Sequence, residues 1–356
     1  MNATMGKIAL GIGIGIASLA VIAAVAAALY ADSNLHSFGR QMARVRKAGY
    51  IDKTADINGG RIAYLEGPDN GPALLLIHGQ TTDKYNYAPA LPGLAKSFHV
   101  FAVDCYGHGQ SSHDPARYSN AVQGRDLLSF IETVIKAPAL VSGHSSGGII
   151  SAWLAANGGP WVRGVLFEDP PFFTLARPRT ETTWNWVDLA STAHNFLAAG
   201  GNDWPLYSVE HARMWSFFGA SKEGFLAQAR SYHAAHPGEP IRWTWLPAVM
   251  NETYRAMPDY DPRFGDVFYS GEWESGWDLD AALRSIAIPA IYEKSEAGTD
   301  AEGILMGATS DSEAARARSL VRDMAFYTDK KGHSWHWQDP RDFTRRLLEL
   351  KARAGL

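Results

Sequence analysis

The stretch that decides the reading is Leu140-Val141-Ser142-Gly143-His144-Ser145-Ser146-Gly147-Gly148. Residues 139–142 read as a short buried strand and residues 146–156 as a helix, so the G-x-S-x-G run at 143–147 falls on a strand-to-helix turn. A turn that sharp lifts the hydroxyl of its central residue above the end of a sheet. Small residues at 143 and 147 let neighbouring backbones approach while Ser145 takes a strained conformation. Ser145 is therefore the candidate nucleophile. The five letters by themselves are a weak signal, because Gly- and Ser-rich turns also occur where no chemistry is done, and the flanking chain has to support them.

Upstream, residues 60–67 and 73–77 read as strands separated by the turn-forming Pro68-Asp69-Asn70-Gly71-Pro72, and residues 100–103 as a third. Residues 124–135 read as an amphipathic helix, and 165–167, downstream of the motif, as a further strand. Apolar strands alternating with helices indicate an α/β fold with a mostly parallel central sheet covered by helices on both faces. After Pro170-Pro171 the rhythm changes to helical patches over 182–199, 208–218 and 221–236, each stopped by Gly or Pro. The α/β pattern returns with strands at 290–293 and 324–327, a helix near 313–321, and a last helix with Asp339 as N-cap and Pro340 at its first position. The expected organisation is an N-terminal anchor or signal at 1–31, a basic linker at 32–48, a core at 49–171 and 286–356, and an inserted helical cap at 172–285.

The composition agrees with a folded protein. Of 356 residues, 46% are hydrophobic and 20% charged, which excludes disordered and low-complexity classes. A net charge of -4 leaves no basic excess for phosphate backbones, so nucleic acid is not an expected partner. The single cysteine, Cys105, precludes an internal disulfide and a cysteine zinc cage, and reads as a packed strand-end residue.

Residues 8–30 carry no charge, and at about 1.5 Å per residue a helix of that length matches a ~30 Å hydrocarbon layer. A single-pass membrane anchor is the first expectation; a signal peptide cleaved near Ala26-Ala27-Ala28, giving a secreted or periplasmic protein, is the alternative. Lys7 precedes the span whereas Arg40, Arg44, Arg46 and Lys47 follow it, so the positive-inside bias puts the large domain in the cytoplasm. Gly11, Gly13 and Gly15 lie within the apolar run and do not read as a dinucleotide loop.

Three segments give the Ser145 turn its context. Leu75-Leu76-Ile77-His78-Gly79-Gln80 ends a strand where a backbone amide could meet a developing oxyanion, so the amides of Gln80 and Ser146 are the expected oxyanion hole, with His78 a loop-packing residue. Asp104-Cys105-Tyr106-Gly107-His108-Gly109-Gln110-Ser111 follows the next strand. Here the chain, over about residues 50–350, resembles the α/β-hydrolase superfamily, whose members often carry D-x-x-G-x-G-x-S at this place. Asp104 and its glycines then read as turn-shaping residues.

The resemblance implies an α/β-hydrolase fold and a catalytic histidine in a loop after a late strand, which Gly332-His333 matches. An imidazole of pKa ~6.5 can take the proton of an alcohol that is itself scarcely ionised near neutrality. The superfamily usually places its acid after the strand that follows the lid, which makes Asp300 the first choice, with Glu296 nearby. Some relatives, including a group of haloalkane dehalogenases, take it from the position of Asp169, the alternative here. The H-x-x-H of His333 and His336, with Asp339 behind it, is not read as a metal site.

Eight of the 12 tryptophans fall in the cap, mostly as its own core, and Phe172 and Phe173 are the residues expected to face substrate. The implied activity is serine-dependent hydrolysis of an ester-type bond in a small apolar or aromatic substrate, without metal or organic cofactor. Carbon-carbon hydrolase, lactonase, amidase and perhydrolase chemistry on the same residues are alternatives, as is a membrane-tethered binding protein without turnover.

Overall fold

In a computed structural model, which describes residues 2–330 and 332–356 and the side chains from residue 14 onward, the apolar runs assemble into one large sheet. Its strands in chain order are β1 (Ile51–Ile57), β2 (Gly60–Glu66), β3 (Ala73–Ile77), β4 (His99–Val103), β5 (Ala139–His144), β6 (Val162–Glu168), β7 (Ala290–Ser295) and, after a small hairpin of β8 (Gly298–Thr299) and β9 (Leu305–Met306), β10 (Met324–Asp329). The spatial order is β1-β2-β4-β3-β5-β6-β7-β10. The β1–β2 and β2–β4 pairs are antiparallel, and the remaining neighbours run parallel. This is the α/β architecture expected, with β5 and its serine turn near the centre.

The central strands are buried on both faces, β3 and β5 along their whole length, which is why they read as continuous apolar runs. β1 escapes that signal. Its Ile-Asp-Lys-Thr-Ala-Asp-Ile alternates poorly, and most of it is exposed at the sheet edge, held by pairing with β2. Between β6 and β7 the described chain forms helices and turns, including Trp204–His211, Lys222–Ala235, Ala248–Arg255 and Pro262–Ser270. Trp215, Trp243 and Trp273 are fully buried there and form the core of this helical layer. The final helix, Pro340–Arg353, starts as expected, the Asp339 side chain accepting a hydrogen bond from the Asp342 amide.

At the N-terminus, helix α1 (Asn2–Leu35) exposes Ile14, Ile16, Leu19, Val21, Ile22, Val25 and Leu29 along its apolar length. By length and composition its segment Ile14–Leu35 can cross a membrane or serve as a signal sequence. Met1 and the Lys7 side chain, which entered the orientation argument, lie outside the described residues. Residues 32–48, expected as a basic linker, are helical for most of their length. Helix α2 (Ser37–Lys47) buries Met42 and Val45 and leaves Arg44, Arg46 and Lys47 exposed. The apolar positions 38, 42 and 45 share one helical face, a spacing that basic composition conceals.

Candidate active site

Ser145 stands between β5 and the helix Ser146–Asn157 with φ +53° and ψ −122°, a conformation unfavourable for a side-chain-bearing residue. The neighbouring chain leaves no room for relaxation. A Cβ at Gly143 would lie 2.1 Å from the Gly147 carbonyl oxygen, and one at Gly147 would lie 2.3 Å from the Ile77 carbonyl oxygen. The two glycines thus bring the end of β3 and the first turn of the helix around Ser145. The Ser145 amide donates to the Glu168 carbonyl at 2.9 Å, tying the turn to the end of β6.

The loop after β3 is drawn to the same point. A Cβ on Gly79 would approach the Ser145 Cβ to 2.9 Å, so the backbone before Gln80 passes directly beside the serine. Ser146, as the first residue of its helix, has an amide with no partner inside that helix. Gln80 and Ser146 both line the cavity that Ser145 lines. His78 packs the loop, its Nε2 accepting from the Cys105 amide at 2.9 Å, and burial holds its pKa below the ordinary histidine value. Asp104 organises the neighbouring turn by accepting from the Lys84 ammonium at 2.9 Å and from the Gln110 amide at 3.0 Å.

His333 follows β10 and faces Asp169, Nδ1 to Oδ2 at 2.6 Å. Asp169 is 1% exposed, has φ +43°, and its Oδ1 accepts from the Ser295 amide at 3.0 Å. The carboxylate is therefore fixed by the end of β7 while its second oxygen holds the imidazole. Burial acts against the charged ring, but the hydrogen bond and the charge of Asp169, with Glu168 behind it, outweigh burial and raise the His333 pKa. The loop carrying His333 is pinned by the Ser295 hydroxyl to the Gly332 carbonyl and by the Trp335 indole to Ser295 at 3.1 Å.

Asp300, the first-choice acid, stands elsewhere. It lies on the β8–β9 hairpin, accepts from the Ile304 amide at 2.8 Å and pairs with Arg213 at 2.8 Å. Desolvation raises its pKa, but these donors together outweigh it, so the pKa falls below the usual carboxylate value. Glu296 is exposed and lies 3.9 Å from the Lys330 ammonium. The hairpin diverts residues 298–306 from the strand end, whereas Asp169 sits just past β6 with its amide bonded to the Glu293 carbonyl of β7, and the geometry joins His333 to Asp169 rather than to Asp300.

Phe172 and Phe173 also depart from expectation. Phe172 is fully buried between Phe167 and Tyr292, and Phe173 lies under the Arg316 guanidinium at 4.0 Å. The residues of that segment lining the cavity are Pro171, Thr174 and Leu175, because the Pro170-Pro171 turn directs the aromatic pair back into the core. The cavity, about 510 Å³, is closed over by Trp184, Trp204, Met214, Tyr254 and Phe268 from the helical layer.

A second histidine-carboxylate pair lies below the first. His336 and Glu168 are both fully buried, Nδ1 to Oε1 at 2.7 Å, and Nε2 faces Asn86 Oδ1 at 2.6 Å. The Asn86 amide nitrogen donates to Glu252 at 3.1 Å, which fixes its oxygen toward the ring. Both nitrogens of His336 are thus taken up by buried side-chain partners, and the ring does not line the Ser145 cavity. The signal was available as two adjacent pairs, Glu168-Asp169 and His333-x-x-His336, matched in space Asp169 to His333 and Glu168 to His336.

Comparison with known proteins agrees with this architecture. The chain is 31% identical over 121 residues to 2-(acetamidomethylene)succinate hydrolase of Mesorhizobium japonicum, covering 34% of this chain and 43% of that protein. It is 37% identical over 92 residues to the magnesium-chelatase 30 kDa subunit of Rhodobacter capsulatus, covering 26% and 32% of the two. The matches thus span less than half the length of these relatives. A solved membrane phospholipase A, described as a bacterial virulence factor, superimposes with a TM-score of 0.63 at 20% identity, over 96% of this chain and 99% of that one, a likeness of fold. The model of the alpha/beta hydrolase family matches residues 74–346, the whole span from β3 to the last helix, and the protein belongs to that family.

Proposed function

We propose that the protein is a serine hydrolase that cleaves an ester-type bond through an acyl-enzyme, with Ser145 as nucleophile, His333 as base and Asp169 as the acid. The observation that carries this is the 2.6 Å contact of His333 Nδ1 with buried Asp169, on a cavity that Ser145 shares. With Nδ1–H donated to Asp169, the remaining ring nitrogen is free to take the Ser145 proton as the hydroxyl oxygen attacks the substrate carbonyl. The carbonyl oxygen becomes negative as the tetrahedral centre forms, and the presence of Gln80 and Ser146 along the same cavity supports their amides as the donors that meet it. The charged His333 ring then gives its proton to the leaving group. Water, deprotonated by the same ring, releases the acid and restores Ser145.

The apolar helix α1 supports a membrane-anchored enzyme, and names among the relatives such as 2-(acetamidomethylene)succinate hydrolase favour hydrolysis as the reaction class. A fluorophosphonate probe tests the reading: Ser145 is labelled in the wild type, and labelling is lost in Ser145→Ala and falls sharply in His333→Ala. A folded wild type that takes no label and turns over no p-nitrophenyl ester, lactone or amide would instead be a binding protein on this fold.

A further inference from the structure

The residues that form the mouth of the Ser145 cavity can be read from their exposure. Among the cavity-lining residues, Val249, Thr253, His333 and Gln338 are exposed, so the opening lies between the helix Ala248–Arg255 and the loop bearing His333. That same helix is the one against which α1 packs. The end of α1 is bonded to the strand of chain leading into it: Asn34 donates to the Thr244 carbonyl at 3.2 Å, and Arg242 donates to the Leu35 carbonyl at 3.3 Å.

The apolar part of α1 ends at Tyr30, which is followed by Asp32, Ser33 and Asn34. At about 1.5 Å per residue, Asn34 lies only ~6 Å along the axis from Tyr30. Thr244, and with it Trp245, is therefore within about one helical turn of the level at which α1 leaves the hydrocarbon. Trp245 is 57% exposed, and Val249 at the mouth is 39% exposed. An exposed indole beside the emergence point of an apolar helix suits a water-hydrocarbon boundary. Exposed Arg44, Arg46 and Lys47 on α2 add positive charge close in sequence to the end of α1, of the kind anionic headgroups attract.

The cavity's charge further restricts what enters. It is lined by no Lys or Arg, while Asp188 and Glu252 are on its wall. Burial raises the Asp188 pKa to about 6. A phosphate headgroup would meet no Lys or Arg in such a chamber, whereas a neutral hydroxylated head finds acceptors. A volume of about 510 Å³ is in the lower half of the ~300–1,000 Å³ typical of small-molecule sites, enough for one folded apolar chain rather than two.

We propose that the mouth of the cavity rests on the bilayer surface and that its substrate is a membrane-resident ester with one long acyl chain and a neutral polar head, of the monoacylglycerol class. This rests on the serine-hydrolase reading and on α1 being retained as an anchor. The chain enters past Val249 while Trp245 holds the mouth at the interface, and the ester bond halts at Ser145 with the acyl arm among the apolar residues of the cap.

The full-length protein in phosphatidylcholine vesicles doped with phosphatidylglycerol provides the test. An environment-sensitive fluorophore on Trp245→Cys should emit as from a membrane interface and be quenched by nitroxide-bearing lipid, since the native thiol, Cys105, is buried. The same fluorophore on Arg163→Cys, at the opposite end of the sheet, should stay in water. Trp245→Glu should lower fatty-acid release from vesicle-borne monoacylglycerol by about tenfold while leaving turnover of a short soluble ester near the wild-type rate. A probe at 245 that remains in water, equal losses on both substrates, or release from a double-chain phospholipid in preference to monoacylglycerol would overturn the proposal. If soluble esters and fluorophosphonate also fail to react, the hydrolase reading has failed, and the position of the probe still decides whether the mouth meets the membrane.

Discussion

Asp169 shows how much one carboxylate can decide. It is adjacent to Glu168 at the end of β6, and backbone geometry sends the two side chains to different histidines. Asp169→Asn should keep the fold and lower kcat by about 10³–10⁴, the size expected when an imidazole loses the partner that sets its tautomer. Asp300→Ala should leave kcat near the wild-type value in the same assay, because its partner is Arg213. The His333 ring offers an independent check. Its raised pKa should appear in an NMR titration above the ordinary ~6.5, and in Asp169→Asn it should fall, since only the charge of Glu168 then opposes burial. The sign for stability follows: the stabilisation that charged His333 gains from Asp169 is present in full below the unfolded-state pKa and is lost as pH rises through the raised folded value. Which acid served this ring was not legible, as both candidates follow strands; His333 was, because its loop lies between a late strand and a capped helix.

The elements bring these residues together by close backbone contact and buried charge. Gly147→Ala would force a Cβ to within 2.3 Å of the Ile77 carbonyl oxygen and against the His78 carbonyl, the backbone at the end of β3. A loss of about 1–3 kcal/mol is expected, read as a lowered midpoint in urea. The helix Ala248–Arg255 is held by a second device. Arg255 bridges Asp83 at 2.6 Å and Glu252 at 2.9 Å, and its guanidinium lies over Phe38 of α2 at 4.5 Å. Arg255→Met should cost about 3–5 kcal/mol, because Asp83 and Glu252 are left without their cation, and thermal unfolding would register it. No local pattern announced this link, whose members are spread from residue 38 to residue 255. The strand-turn-helix around Ser145 and the capped last helix were legible, since each is written within one continuous stretch, residues 139–157 and 339–353.

At the scale of the molecule, a helical layer and the strand ends of a sheet enclose one chamber, and α1 packs against a helix of that layer. Removing residues 1–31 should release the protein from the membrane fraction and leave turnover of soluble esters intact, because Asn34 and α2, which make the described contacts with the cap and core, remain. Retention of the truncated protein in the membrane after carbonate extraction would show that surfaces beyond α1 hold it there. The interrupted order of the chain, sheet then cap then sheet, follows from the loss of alternation after Pro171 and its return near residue 290.

By itself the amino-acid order determined the α/β class, the strained serine turn, the histidine loop and the apolar N-terminal helix, because each depends on periodicity, glycine and capping over short spans. The partnership of Asp169 with His333, the inward turn of Phe172, the buried Glu168–His336 pair and the docking of α1 beside the cavity mouth were decided only in three dimensions. They rest on the register of β6 against β7 and on which helix of the cap meets which end of the chain. Parallel strands are brought into register by contacts between distant segments, and no local propensity encodes which neighbour arrives.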